Sequence, residues 1–389
     1  MSLVAAIMIG TALAMLAVAV RFAFFAIVSV LDPLGEPPAH AATTRFCVLV
    51  PAHDEGRNLL PTLAAARALD YPDELFRVVV LADNCTDDTA AIAREAGVPV
   101  VERHDKALTG KGEALRWFIV NHRAPDEAVM CCDADSRPAP DYLRWMDRAL
   151  ARGWGGAQGF NGAANPEASG LAALAAITGG MKNAFHYGGK AATGLSCPLM
   201  NGWTLSAATL QAQPWRAFGV AEDFEQYLRL VDAGVRLRFV PQAKILSHKV
   251  SSLSAAAAQK ERWSGGQSQV AKQVAKPLLR RALRERSLAK ADAALELLLP
   301  GYAPTTAVLA LVASAGWLLF SPAHAATGLA LAGLLLMAAQ FAAGLTQIRW
   351  TAKTAAAVAL APVYVFWKLS LALKAAASKP TRWRRAQRD

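Results

Sequence analysis

Apolar and polar positions along the chain fall into three regimes. The first is continuous: Ser2–Val20 is nineteen residues without a charge, and a second apolar run follows Arg21 to Leu31. At about 1.5 Å per residue, such a run is long enough to cross a bilayer. No basic residue precedes it, so residues 1–31 read as a retained anchor rather than a cleaved signal peptide. The Pro- and Gly-rich stretch that follows makes 32–44 a linker.

The second regime, residues 45–258, is made of short apolar runs that each end in polar residues. Phe46–Pro51 runs into His53, Asp54 and Glu55, and Phe76–Ala82 runs into Asp83. Val98–Glu102 leads to Arg103 and Asp105, and Ala128–Cys132 leads to Asp133 and Asp135. Between them, helical spacing predicts helices over Asn58–Leu69, Ala90–Ala96 and Lys111–Asn121. Alternation at this spacing implies parallel βαβ units, hence an α/β fold with a Rossmann-like, mostly parallel sheet. The polar strand ends then meet along one crevice, where such sheets bind ligands. The glycines of 153–162 and 179–189 suggest flexible loops beside that crevice.

In the third regime, Gln259–Leu298 alternates apolar residues with Lys272, Lys276, Arg280, Arg281, Arg284, Arg286 and Lys290. That pattern predicts basic amphipathic helices on a membrane surface, over 259–299. Within 300–377, Tyr302–Phe320 and Ala325–Leu345 are spanning candidates. Ala355–Ala377, interrupted by Pro362 and carrying Lys368 and Lys374, reads as a tilted, re-entrant or interfacial helix. A basic tail closes the chain at 378–389.

Composition sharpens this picture. Hydrophobic residues make up 54%, charged ones 18%, and mean hydropathy is +0.25, with the apolar excess at the two ends. This argues against a wholly soluble protein. The net charge of +11 gathers at Lys260–Lys290 and Lys374–Arg388, beside apolar segments. This favours an anionic bilayer surface as partner and argues against nucleic acid. Five cysteines without Cys-x-x-Cys spacing argue against zinc and fit a reducing cytosol. The basic segments place the middle of the chain in the cytoplasm, under the plasma (bacterial inner) membrane.

Candidate chemistry centres on Asp133-Ala-Asp135. Two carboxylates at a strand's carboxyl end suit Mg²⁺ or Mn²⁺, which favour hard oxygen ligands and bridge to phosphates. Alone, the same residues could be a solvated turn. Glu222-Asp223 could simply favour a helix N-terminus ahead of Phe224, Tyr227 and Leu228. Gln259–Trp263 could be an interfacial anchor, and Lys111 a solvated turn lysine. His53, His186 and His248 have no second ligand at metal spacing, so they read as structural or solvent-facing.

Taken in order, these segments resemble the membrane-bound, inverting glycosyltransferases of family 2, which have the GT-A fold. The likeness is to the branch of cellulose, hyaluronan and chitin-oligosaccharide synthases and ceramide glucosyltransferases. Pro51-Ala-His-Asp-Glu55 looks like the opening Pro-Ala-x-Asn-Glu, and Asp83-Asn-Cys-Thr-Asp87 like Asp-Gly-Ser-x-Asp. Gly110-Lys-Gly112 resembles the Gly-Lys segment near the diphosphate, and Asp133-Ala-Asp135 the metal-binding Asp-x-Asp. Glu222-Asp223 falls where the family has Thr-Glu-Asp, and Gln259-Lys-Glu-Arg-Trp263 fits Gln-x-x-Arg-Trp. Ala221 replaces the usual Thr, and Asn201-Gly-Trp203 departs from the common acceptor-side Gly-Asn-Gly or Gly-Thr-Gly.

The resemblance implies a role for each of these residues. Asp223 is the general base, and Asp133 and Asp135 hold the metal. Pro51, Glu55, Asp83, Lys111, Asp133 and Arg262 bind a nucleotide diphosphate sugar, with a UDP-sugar expected. Glu222, Gln259 and Trp263 face the acceptor, a membrane lipid or a growing glycan. With few spanning helices for a polymer channel, polysaccharide export would need a partner or a homo-oligomer. Two other readings stay open: a polyprenyl-phosphate sugar synthase, and a non-catalytic membrane scaffold of an export complex.

Overall fold

A computed structural model describes residues 2–30, 41–249, 253–347 and 350–377. Most of the linker expected at 32–44 and all of the tail at 378–389 lie outside the described residues. One eight-stranded sheet organises the middle of the chain. Its strands are β1 (Arg45–Ala52), β2 (Phe76–Asp83), β3 (Val100–Arg103), β4 (Glu127–Cys131), β5 (Ser136–Pro138), β6 (Gly156–Ala163), β7 (Thr204–Leu205) and β8 (Leu237–Ser247). They lie in the order β3-β2-β1-β4-β7-β6-β8-β5. Strands β3, β2, β1 and β4 are mutually parallel, β7 is antiparallel to β4 and β6, and β5 is antiparallel to β8. The sheet is therefore Rossmann-like in its first half and mixed beyond β4.

Residues 46–50 and Val129–Cys131 are almost wholly buried because helices cover both faces of the sheet. Leu59, Leu63, Tyr142 and Met146 pack on one face, and Phe118, Trp203, Tyr227 and Leu278 on the other. A strand buried on both sides must be apolar throughout, which is why these runs show no alternation.

Beyond a short turn at 153–155, the two glycine-rich stretches are not loops. Gly156–Ala163 is strand β6, and Gly179–Gly189 lies in a helix that begins at Gly170, passes through a π-helical turn at Lys182–Tyr187 and resumes at Gly188–Ala192. In both places glycine serves close approach. A Cβ on Gly159 would lie 2.4 Å from the Tyr142 hydroxyl, and one on Gly189 would lie 2.1 Å from the Phe25 carbonyl oxygen.

The basic segment is helical and packs one face on the domain. It forms helices Leu253–Val270, Lys276–Glu285 and Leu288–Leu298, and position 259 falls inside the first of them. Leu278, Ala293 and Ala294 enter the domain core, while Arg281 and Lys290 pair with Asp232. Their basic face is partly spent on the domain itself.

Among the described residues three helices are long and apolar enough to cross a membrane: Leu3–Ser29, Tyr302–Leu319 and Ala325–Gly344. They pack together through Ala12, Ala19, Leu309 and Ala330. Helices Ala352–Ala359 and Ala361–Ala377 meet at a 58° bend beside Pro362, whose ring cannot continue the preceding helix.

Candidate active site

At the carboxyl end of β4, the turn carrying Asp133 and Asp135 is clamped by a polar side chain. The Asp133 amide donates to Asn201 Oδ1 at 2.9 Å, and Asn201 Nδ2 donates to the hydroxyls of Ser136 and Ser247. Ser136 in turn donates to Asp135 Oδ1 at 2.9 Å. The β5–β8 ladder pairs Ser136 with Ser247.

Lys111 begins the helix Lys111–Asn121, directly after Gly110 in a positive-φ conformation. Its ammonium lies 2.9 Å from Asp133 Oδ1, 3.4 Å from Glu222 Oε1 and 3.6 Å from Asp223 Oδ2. One cation thus joins the end of β4 to the N-terminus of helix Glu222–Asp232. Asp223 Oδ1 accepts a hydrogen bond from Trp203 Nε1 at 3.1 Å, and the Trp203 indole stacks on Trp215 at 5.0 Å. Trp203 is fully buried, and its carbonyl accepts from Cys131, so the indole is anchored to β4 itself.

Electrostatics here are lopsided. Burial, together with the neighbouring Asp223, pushes the Glu222 carboxyl up to about 8. Burial also raises Asp223, against the opposing pull of Lys111. Lys111 itself is held well above its ordinary value: burial works against its charge, but Asp133 and Asp223 outweigh it. Three carboxylates share one lysine.

Farther along the sheet edge, Asp83 is mostly buried and engaged by Arg103 at 2.6 Å. His53 Nδ1 lies 2.7 Å from the Asp83 carbonyl oxygen, which gives that histidine a structural partner. Pro51 pairs with Leu81 in the β1–β2 ladder, and the Glu55 amide donates to Thr89 Oγ1. Asp54, Cys85 and Asp87 bring ligand atoms within 4.8 Å of one another. The Asp54 carboxylate already accepts from the Thr86 amide at 2.6 Å and from the Asp87 amide at 3.3 Å, so it caps this turn.

Arg262 and Gln259, both half-buried, and exposed Trp263 ride on helix Leu253–Val270. A Cβ on Gly266 would sit 3.0 Å from Val220 Cβ, so glycine lets this helix pass one turn from Ala221 and the start of the Asp223 helix. His186 is buried and bonded to Glu296, a structural role.

Comparison with known proteins now adds to this geometry. The family model described as "Glycosyltransferase like family 2" matches residues 44–266, more than half of the chain. The chain belongs to this family. The family and the fold support a glycosyltransferase enzyme over the scaffold reading. Mannosyltransferase PcManGT from Pyrobaculum calidifontis, solved with GDP-Man and Mn²⁺, has a similar fold at TM-score 0.53 and 18% identity, over 86% of this chain and 99% of that one. Glucosyl-3-phosphoglycerate synthase from Mycobacterium tuberculosis, solved with Mn²⁺, UDP and glucosyl-3-phosphoglycerate, matches at TM-score 0.43 and 22% identity, over 60% and 81%. No curated protein matches the chain.

The residues at the β4 edge fit a hard divalent cation. Asp133 keeps 38% of its side chain exposed, and Asp135 stands two residues on. Asn201–Trp203 was read as an acceptor-side segment, but the bonds of Trp203 to Asp223 and of Asn201 to the Asp133 amide were not legible in the sequence. Nothing in the spacing of a lone Trp or Asn announces a partner twenty or more residues away.

Proposed function

We propose that this glycosyltransferase inverts the anomeric carbon as it moves a sugar from a nucleotide diphosphate sugar, such as a UDP-sugar, to a membrane-proximal acceptor. The observation that carries the reading is the single ammonium of Lys111 shared by Asp133, Glu222 and Asp223. On this reading Lys111 would be a diphosphate-binding cation standing beside a metal-binding acid and a base.

Pro51, Glu55 and Asp83 would cradle the base and ribose, and Lys111 and Arg262 the diphosphate, for which arginine's planar fork is suited. Asp133 and Asp135 would hold Mn²⁺ or Mg²⁺, which when bound neutralises charge on the departing diphosphate. Asp223 accepts the acceptor hydroxyl's proton while that oxygen bonds to the anomeric carbon and the bond to the diphosphate breaks. A single base with direct attack gives inversion. Glu222, Gln259 and Trp263 would frame the acceptor side. Whether the product is a glycolipid or a polysaccharide follows from the acceptor, and the cellulose, hyaluronan and ceramide branch remains the nearest analogy for it.

The basic segments support a cytoplasmic catalytic domain at the plasma (bacterial inner) membrane, with the first helix running outside to inside. The test uses detergent-purified protein, Mn²⁺ and a panel of nucleotide sugars with membrane lipid extract. Asp223→Asn should lower nucleoside diphosphate release by about 10³-fold, with nucleotide affinity unchanged. Normal turnover by that variant would refute the assignment of the base.

A further inference from the structure

The helix that carries Asp223 is also held by residues that the transfer chemistry does not use. Tyr227 stands four residues after Asp223, one turn on along the same helix, and is fully buried. Its hydroxyl donates to the Ser196 carbonyl oxygen at 3.2 Å and accepts from Lys190 Nζ at 3.3 Å. Lys190, fully buried as well, reaches Asp292 Oδ2 at 2.8 Å and Glu296 Oε2 at 3.3 Å. Those acids lie one turn apart on helix Leu288–Leu298, and Arg21 of the first helix meets them at 2.8 and 3.5 Å. A continuous path of polar contacts thus links a candidate membrane span to the helix of the proposed base.

Packing leaves little slack along this path. A Cβ on Gly188 would lie 3.2 Å from Ser29 Cβ, and Gly189 meets the Phe25 carbonyl more closely still, so the Lys190 segment sits directly on the first helix. Ala293 and Ala294 share a core with Phe224, Tyr227 and Leu228. Lys182 Nζ stands 5.7 Å from the centroid of the Phe224 ring, the residue beside Asp223. The charges of Arg21 and Lys190 are already matched by Asp292 and Glu296. The contact of Lys190 with Tyr227 therefore bears on where the base helix sits rather than on charge balance. A base must come within about 2.6–3.2 Å of the hydroxyl it deprotonates, and a misplacement of about 1 Å can cost about 10²-fold in rate.

We propose that Arg21 of the first helix is a positioning residue for transfer, setting the place of the Asp223 carboxylate through Asp292, Glu296, Lys190 and Tyr227. The first helix then belongs to the catalytic assembly, beyond any anchoring it provides. This deepens the function proposed above and rests on its reading of Asp223 as the base.

The test is fluorine NMR of the full chain in detergent, with fluorotryptophan placed at position 203 alone, where the indole N–H meets Asp223 at 3.1 Å. Asp223→Ala supplies the resonance of the released indole. Tyr227→Phe removes one hydroxyl and keeps the packing; it should move the resonance toward that reference. Arg21→Gln should move it at least as far, and Arg21→Lys, which keeps the charge, less far. R21Q/Y227F should move it no further than R21Q, because both changes act on one path. A wild-type resonance in Y227F and R21Q, or shifts that add in the double variant, overturns the proposal. If R21Q does not fold, R21K must show its smaller shift, and a wild-type resonance there overturns it equally. With a donor that wild type turns over, Y227F and R21Q should lose about tenfold in kcat while donor KM and nucleotide–Mn²⁺ affinity stay unchanged. A raised KM with kcat intact would mean a general disturbance and would also sink the assignment. Normal turnover by Asp223→Asn defeats the base reading by itself, whereas the resonance still reports whether Arg21 positions residue 223.

Discussion

Two buried charge clusters in this protein look alike on paper and differ in balance. One is the Lys111 site, where three carboxylates share a single ammonium. The other joins the N-terminal helix to the catalytic domain. There Arg21 and Lys190 each reach Asp292 at 2.8 Å and Glu296 within 3.5 Å, and His186 bonds Glu296 at 2.8 Å. Burial would raise Glu296, yet His186 and Lys190 hold it well below the usual carboxylate range. Phe22 and Phe25 meet the His186 ring edge-on at 5.3 and 5.0 Å, sealing the joint. This also explains a charge in an otherwise apolar first helix: Arg21 is satisfied from the domain side. A saturated cluster is a fastener. One left short of counter-charge is waiting for something to supply it.

Removing acids should break the two clusters in opposite ways. The largest structural effect belongs to the joint: Glu296→Ala strands Lys190 and His186 and should cost about 3–5 kcal/mol, seen as a lowered melting temperature in detergent. At the site, Asp223→Asn should leave the melting temperature at or above wild type even as transfer collapses. A melting temperature that fell as far as that of Glu296→Ala would erase the distinction.

A smaller effect is expected at Trp203. Trp203→Phe keeps the stack on Trp215 but removes the N–H that orients Asp223. A hydrogen bond to a charged group contributes about 1.5–3 kcal/mol, so kcat should fall by tenfold or more while the KM for donor stays put. A rise in donor KM alone would mean that the indole shapes the pocket rather than the base.

The smallest effect is a pH slope. The folded protein keeps the Glu222 proton up to about 8, while an ordinary glutamate releases it near 4.5. Between those values the unfolded chain binds fewer protons, so this group's contribution to stability falls as pH rises. Glu222→Gln should therefore stabilise by about 1–2 kcal/mol at pH 8 and have little effect at pH 4. Equal effects at both pH values would mean that Glu222 is ionised in the folded protein.

How much of this could be read in advance depended on distance along the chain. Strands ending in acids and the helix beginning at Lys111 follow from local periodicity, because burial on both faces demands unbroken apolar runs. The glycines of β6 and of the helix around Gly189 misled, since close packing and flexibility call for the same residue. The β7 and β5 pairings were invisible too: strands of two and three residues carry no period.

From its own residues, the chain determines an apolar first segment, a βαβ alternation and acids at successive strand ends. These depend only on neighbours within a turn or a strand. Tertiary structure alone decides that Trp203 donates to Asp223 and that Arg21 is neutralised by Asp292 and Glu296. Charge balance is a property of a place in space. Residues 21 and 292, or 203 and 223, acquire their partners only when the chain packs.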